Sequence, residues 1–117
     1  MNDQPSDDMA PPVDESREAL TLAAAQAQVD EAIRALGGYW PPLANLARLF
    51  EECGELARGV NQAHGPKPRK PDEAAVELSE ELGDVLFVTL VVANSLGVDA
   101  NTALAEAIRK AQRRARG

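Results

Sequence analysis

Two short stretches carry carboxylates at a spacing that could hold a cation: "EECGE" at residues 51–55 and "EELGD" at residues 80–84. Each has two adjacent glutamates, and a further acid three residues after the second. Side chains three or four apart on a helix share a face. Glu52 would therefore project with Glu55, and Glu81 with Asp84, while Glu51 lies beside the first pair. Carboxylate oxygens converging from two helices suit a hard divalent cation such as Mg²⁺, which also keeps several waters. A charged helix face is more often simply solvated. The first cluster, sharing its stripe with Arg48 and Gln62, does not choose between these readings.

The second cluster adds a direction. Glu77, Glu81, Asp84, Val88, Val91 and Ser95 recur at alternating steps of four and three, so they form one helical stripe. Its acidic half runs into an apolar half that should pack against a partner helix, drawing Glu81 and Asp84 toward the same seam. Carboxylates there are costly unless paired or bound to metal. Bases are scarce: from Glu51 to Asp84 there are nine acids against four bases, and three of those bases share one loop. Gly54 and Gly83 occupy matching places inside the two clusters. A glycine inside a helix costs about 1 kcal/mol relative to alanine. The pair marks either the close approach of a backbone or ligand, or ordinary tight packing.

The pattern around the clusters predicts four helices and no strand. From about Ser16 the chain is rich in Ala, Leu, Gln and Glu, with Leu22, Val29, Ile33 and Leu36 at helical spacing and Gly37-Gly38 as the stop. "YWPP" is a rigid connector, and Pro41 or Pro42 can open the next helix, over about Leu43 to Ala63. Leu43, Leu46, Phe50, Ala57 and Val60 give that helix its apolar stripe, and Cys53 reads as a packing residue. "HGPKPRKP" is a loop, basic through Lys67, Arg69 and Lys70, and His64 has a turn role at its start. Asp72 is the expected cap of a third helix running to Leu96, ended by Gly97. Asp99 caps a fourth, reaching about Arg114. "VLFVTLVV" could pass for a strand, but it continues on both sides without a turn signal, so helix is expected. The fold class is all-α.

Composition narrows the function. The 117 residues suit a single domain, with only four aromatics to fill a core built mostly of Leu, Val and Ala. The net charge is −7, but residues 1–18 hold six acids and one base, so the acidity sits mainly in an expected disordered tail at 1–16, ahead of a domain at 17–117. No concentrated basic face suggests nucleic-acid binding. No apolar run reaches the roughly 18 residues of a membrane span. A single cysteine and no signal-peptide pattern make a cytoplasmic protein the expectation. Tyr39 and Trp40, the only neighbouring aromatics, could stack on a base or fill the core.

"EECGE" followed by "EELGDVLF" resembles the E-E-x-x-E … E-x-x-D signature of the MazG-like all-α nucleoside triphosphate pyrophosphohydrolases. The likeness spans about residues 39 to 114 and looks closest to the small single-domain bacterial branch. It implies a helical-bundle chain that forms a homodimer or homotetramer, with metal sites near subunit contacts. It also implies Mg²⁺-dependent cleavage between the α and β phosphates, with Mn²⁺ as a substitute, giving a monophosphate and pyrophosphate. Carried over by position, the metal ligands are Glu52, Glu55, Glu81 and Asp84, and Glu51 is the residue to activate water or add a ligand. Lys110 and Arg114 match the basic step that would hold phosphates, and Lys67, with Arg69 and Lys70, could close over them from the loop. Asn61 and Asn94 match positions that could read a base edge or sugar, or serve a helix contact. Between Lys110 and Arg114 the family usually has an aromatic and an asparagine, and here Ala111 and Gln112 stand there. The implied biology is housecleaning of unwanted deoxynucleotides. The alternatives are phosphoribosyl-ATP pyrophosphohydrolase and a non-catalytic helical module that binds nucleotide or protein.

Overall fold

A computed structural model describes residues 11, 12, 14, 16, 19–67 and 69–117. Most of the expected tail at 1–16 lies outside the described residues. The described chain forms four helices and no strand: α1 (Leu22–Ala35), α2 (Pro42–His64), α3 (Leu78–Leu96) and α4 (Ala100–Arg116).

Local chemistry sets most of the boundaries. The Thr21 hydroxyl accepts a hydrogen bond from the Ala24 amide at 3.0 Å, so α1 starts at Leu22 and not near Ser16. Gly37 and Gly38 end it with φ of 114° and 101°, a region that glycine enters without a steric cost. Pro42 opens α2, where the missing N–H loses no helical bond. The buried Asn45 then donates its Nδ2 to the Trp40 carbonyl at 3.0 Å and ties the connector to the helix. Gly97 at φ 68° ends α3, and the Asp99 carboxylate accepts from the Asn101 amide to cap α4, as expected.

The start of α3 departs from the sequence reading. Asp72 caps no helix; α3 begins at Leu78. The Gln62 side chain donates to the Ala74 carbonyl and accepts from the Val76 amide, both at 2.9 Å, and so ties that segment down outside the helix. The Glu73 carboxylate turns back to the Lys70 amide and closes the loop on itself. Gly59, buried on α2, leaves room for this approach: a Cβ there would stand 2.6 Å from Val76 Cγ1 and 2.9 Å from Leu78 Cδ2.

α3 is the hub, with α2 and α1 packed on it and α4 packed on α1. Val88 and Val91 of α3 are buried with Val29 of α1, so the stripe predicted on α3 does turn inward. A polar network joins the elements at the far end of α3. Gln26 donates to Asn94 Oδ1 and the Val98 carbonyl and accepts from the Ala100 amide, each at 2.9 Å. Asn94 donates to the Gln26 carbonyl and to the Tyr39 hydroxyl, which donates to Asp30 at 2.7 Å. Asn94 and Tyr39 are thus committed to holding helices together.

α2 carries the main correction. Asn45, Leu49, Glu52, Leu56 and Gly59 are its buried or half-buried side, spaced to face α3. The apolar stripe of Leu43, Leu46, Phe50, Ala57 and Val60 is exposed, and so is Cys53. A hydrophobic face was there to be read, but the chain's own packing does not cover it. No single described helix is long and apolar enough to cross a membrane.

Candidate metal centre

The α2–α3 packing brings the two acidic clusters together. Glu52, Glu81 and Asp84 each offer a carboxylate oxygen, and these oxygens lie within 4.8 Å of one another. Glu52 and Glu81 are half-buried, while Asp84 is exposed. Burial, reinforced by the charges of Asp84, Glu55, Glu52 and Glu80, pushes the Glu81 carboxyl above its ordinary pKa. Three acids from two helices, with one made more basic by its neighbours, are a donor set that a hard cation would relieve. Among the described residues this is the one such group of acids, histidines or cysteines.

The other expected residues stand at different distances from it. Glu55 is close enough for its charge to act on Glu81, but its Oε1 is paired with Arg58 Nη2 at 3.0 Å. Glu51 is exposed and outside the trio, as its offset of about 100° from Glu52 around the helix requires. Glu77 becomes the exposed residue preceding α3. Gly54 and Gly83 have nothing within 4 Å of a built Cβ, so neither marks a close approach within the chain. Trp40 is exposed, and lines a cavity of about 170 Å³ together with Tyr39, Asn45, Arg48, Phe87 and Val88.

Asn61 lies on the outward side of α2, in a groove with Cys53, Ala57, Val60 and His64. Lys67 is exposed on the loop. Lys110 and Arg114 are exposed on α4, a helix with no buried residue. The break between α3 and α4 bends the path by 109°. At ~1.5 Å per residue, Asp84 is about 18 Å from the end of α3 and Lys110 about 15 Å along α4, so the two stand roughly 20 Å apart. One chain does not bring these bases to its own carboxylates.

Arg48, placed on the stripe of Glu52 by the sequence but given no role there, stands at the edge of the trio. Its Nε stands 3.4 Å from Glu52 Oε2, and its guanidinium lies 5.7 Å from the centroid of the Trp40 ring. The signal was available, since Arg48 precedes Glu52 by one helical step of four.

An all-α chain with acids from two adjacent helices facing one point is a recognisable class of protein. A family model for the MazG nucleotide pyrophosphohydrolase domain matches residues 41–117, and the chain belongs to that family. It is 51% identical over 79 residues to YpjD of Bacillus subtilis (strain 168), a match covering 67% of this chain and 71% of that one. The crystal structure of YpjD from Bacillus subtilis superposes with a TM-score of 0.70 at 44% identity, covering 80% of this chain and 97% of that one. The Bacillus-conserved MazG protein, described as a nucleotide pyrophosphohydrolase, gives 0.69 at 44% identity over 80% and 92%. The iMazG of Vibrio DAT 722 gives 0.57 at 28% identity over 80% and 97%.

Proposed function

We propose that the protein is a Mg²⁺-dependent hydrolase that splits the α–β phosphoanhydride of nucleoside triphosphates, releasing a monophosphate and pyrophosphate. The observation carrying this reading is the convergence of Glu52, Glu81 and Asp84 oxygens within 4.8 Å, in a member of a pyrophosphohydrolase family. Glu52, Glu81 and Asp84 would hold the cation, and Glu55 would join them on leaving Arg58. Mg²⁺, or Mn²⁺ in its place, would neutralise phosphate charge and polarise the scissile bond. Glu51, beside the site and in water, would accept the proton of the attacking water. Trp40 offers its exposed ring to the base at the mouth of the cavity. Lys67 would approach the phosphates from the loop, and Asn61 would contact the base or sugar. The biology that fits is removal of unwanted deoxynucleotides in the cytoplasm.

The site needs a second copy of the chain. Lys110 and Arg114 serve phosphates only if they reach the carboxylates of another subunit, and Asn61 faces outward for the same reason. A homodimer or homotetramer is further supported by the small core and by Leu43 and Phe50, which are 77% and 67% exposed on α2. The test is pyrophosphate release from a panel of nucleoside triphosphates with Mg²⁺. Release that disappears in Glu52→Ala and Asp84→Ala supports the reading. Absence of release from every triphosphate, with metal binding unchanged in those variants, would sink it.

A further inference from the structure

Arg48 sits between the metal centre and the cavity, and nothing so far gives it a role. Two of the three α2 acids are each held by an arginine of their own helix: Glu52 by Arg48, and Glu55 by Arg58. Glu81 and Asp84 on α3 have no such partner among the described residues. Arg48 is therefore the cation standing against the trio. Its contact with Glu52 is long, at 3.4 Å, and is a single Nε–Oε2 approach, not a two-pronged pair. The Arg48 side chain is 47% exposed and that of Glu52 18%, so the guanidinium has room to leave while the carboxylate stays. Trp40 gives it a second resting place at the rim of the cavity.

We propose that Arg48 is a substrate-positioning residue, which guards Glu52 in the metal-free protein and turns to a phosphate of the substrate once a divalent cation takes Glu52. A guanidinium and a divalent cation compete for the same oxygen. A cation on Glu52 would release Arg48, whose guanidinium would then move against the Trp40 ring toward the rim of the cavity with its N–H groups free. From the rim of the cavity that Arg48 and Trp40 both line, those groups would be free to bind a polyphosphate held at the metal. The same side chain is thus a counter-ion in one state and an anion receptor in the other. This rests on the metal-site reading above.

Trp40 is the chain's single tryptophan and so reports on Arg48 directly. The experiment follows its emission during Mn²⁺ titration, with bound Mn²⁺ measured in parallel by electron paramagnetic resonance. In the wild type, emission shifts with Mn²⁺ occupancy. Glu52→Gln, which removes the charge that holds Arg48, shows the metal-bound emission without any metal. Arg48→Met binds Mn²⁺ several-fold tighter, and in the presence of Mn²⁺ it binds inorganic triphosphate weaker by on the order of tenfold. Saturable Mn²⁺ binding to the wild type with no change in Trp40 emission, or unaltered triphosphate affinity in Arg48→Met, would overturn the role of Arg48 and leave the metal site standing. A wild type that binds no Mn²⁺ would overturn the metal site and this role with it.

Discussion

Glu81 is the residue on which the site's electrostatics converge. Its carboxyl is pushed above its ordinary pKa, first by burial and then by Asp84, Glu55, Glu52 and Glu80. The folded state therefore prefers it protonated. Its contribution to the stability of the metal-free protein is fully present below the ordinary carboxylate range and is lost as pH rises through the raised folded value. Mg²⁺ should reverse that loss. Glu81→Gln should flatten it and raise the metal-free melting temperature at neutral pH, while weakening Mg²⁺ binding at least tenfold; thermal melts with and without Mg²⁺ read both. Asp30 behaves in the opposite sense. The Tyr39 hydroxyl, and then Arg34, hold its carboxyl below its ordinary value. Its contribution is present above the ordinary carboxylate range and is lost as pH falls through the lowered value, so Asp30→Asn should melt lower than wild type at neutral pH and converge with it in acid. The acids of the site were legible in the sequence because their helical spacing is local. Arg48 was visible as a neighbour of Glu52, but its contact with Trp40 depends on how the connector meets α2, which spacing alone does not fix.

At the scale of elements, the sequence was reliable wherever one residue's own chemistry sets a boundary. Gly37, Pro42, Gly97 and Asp99 all mark helix ends where expected. It failed at Asp72, because a side chain on another helix, Gln62, binds the backbone at 74 and 76 and keeps it out of α3. Gln62→Ala removes two hydrogen bonds to backbone groups and should cost about 1–3 kcal/mol in urea unfolding, with faster amide exchange at Val76. Gly59→Val should cost about 1–3 kcal/mol, since its side chain would displace Val76 and Leu78. The orientation of α2 was also out of reach. That helix has two usable faces, and periodicity identifies them without saying which one meets α3. The less apolar face won: Asn45, Leu49, Glu52, Leu56 and Gly59 are the residues turned toward α3. The richer stripe was left outside.

That outward stripe governs the whole molecule. Among the described residues, only Val29, Val88 and Val91 form a buried apolar core. Leu82, Leu86, Leu104 and Ile108 add further exposed apolar surface on α3 and α4. So small a buried core, beside so much exposed apolar surface, is the observation behind the proposed assembly. Light scattering should therefore give a mass that is a multiple of the 12.5 kDa chain, and Phe50→Glu should lower both that mass and the melting temperature. If the wild type is a stable monomer, the assembly is wrong, and so is the supply of Lys110 and Arg114 from another subunit. The assembly is separate from the proposed metal centre, in which Glu52 of α2 and Glu81 and Asp84 of α3 would bind one cation between them. The most direct test of that binding is the anomalous scattering of Mn²⁺ in crystals of the wild-type protein. A peak is expected roughly 2 Å from oxygens of all three carboxylates, with water completing the shell. Crystals grown in millimolar Mn²⁺ that show no peak there, or a peak elsewhere on the chain, would contradict it.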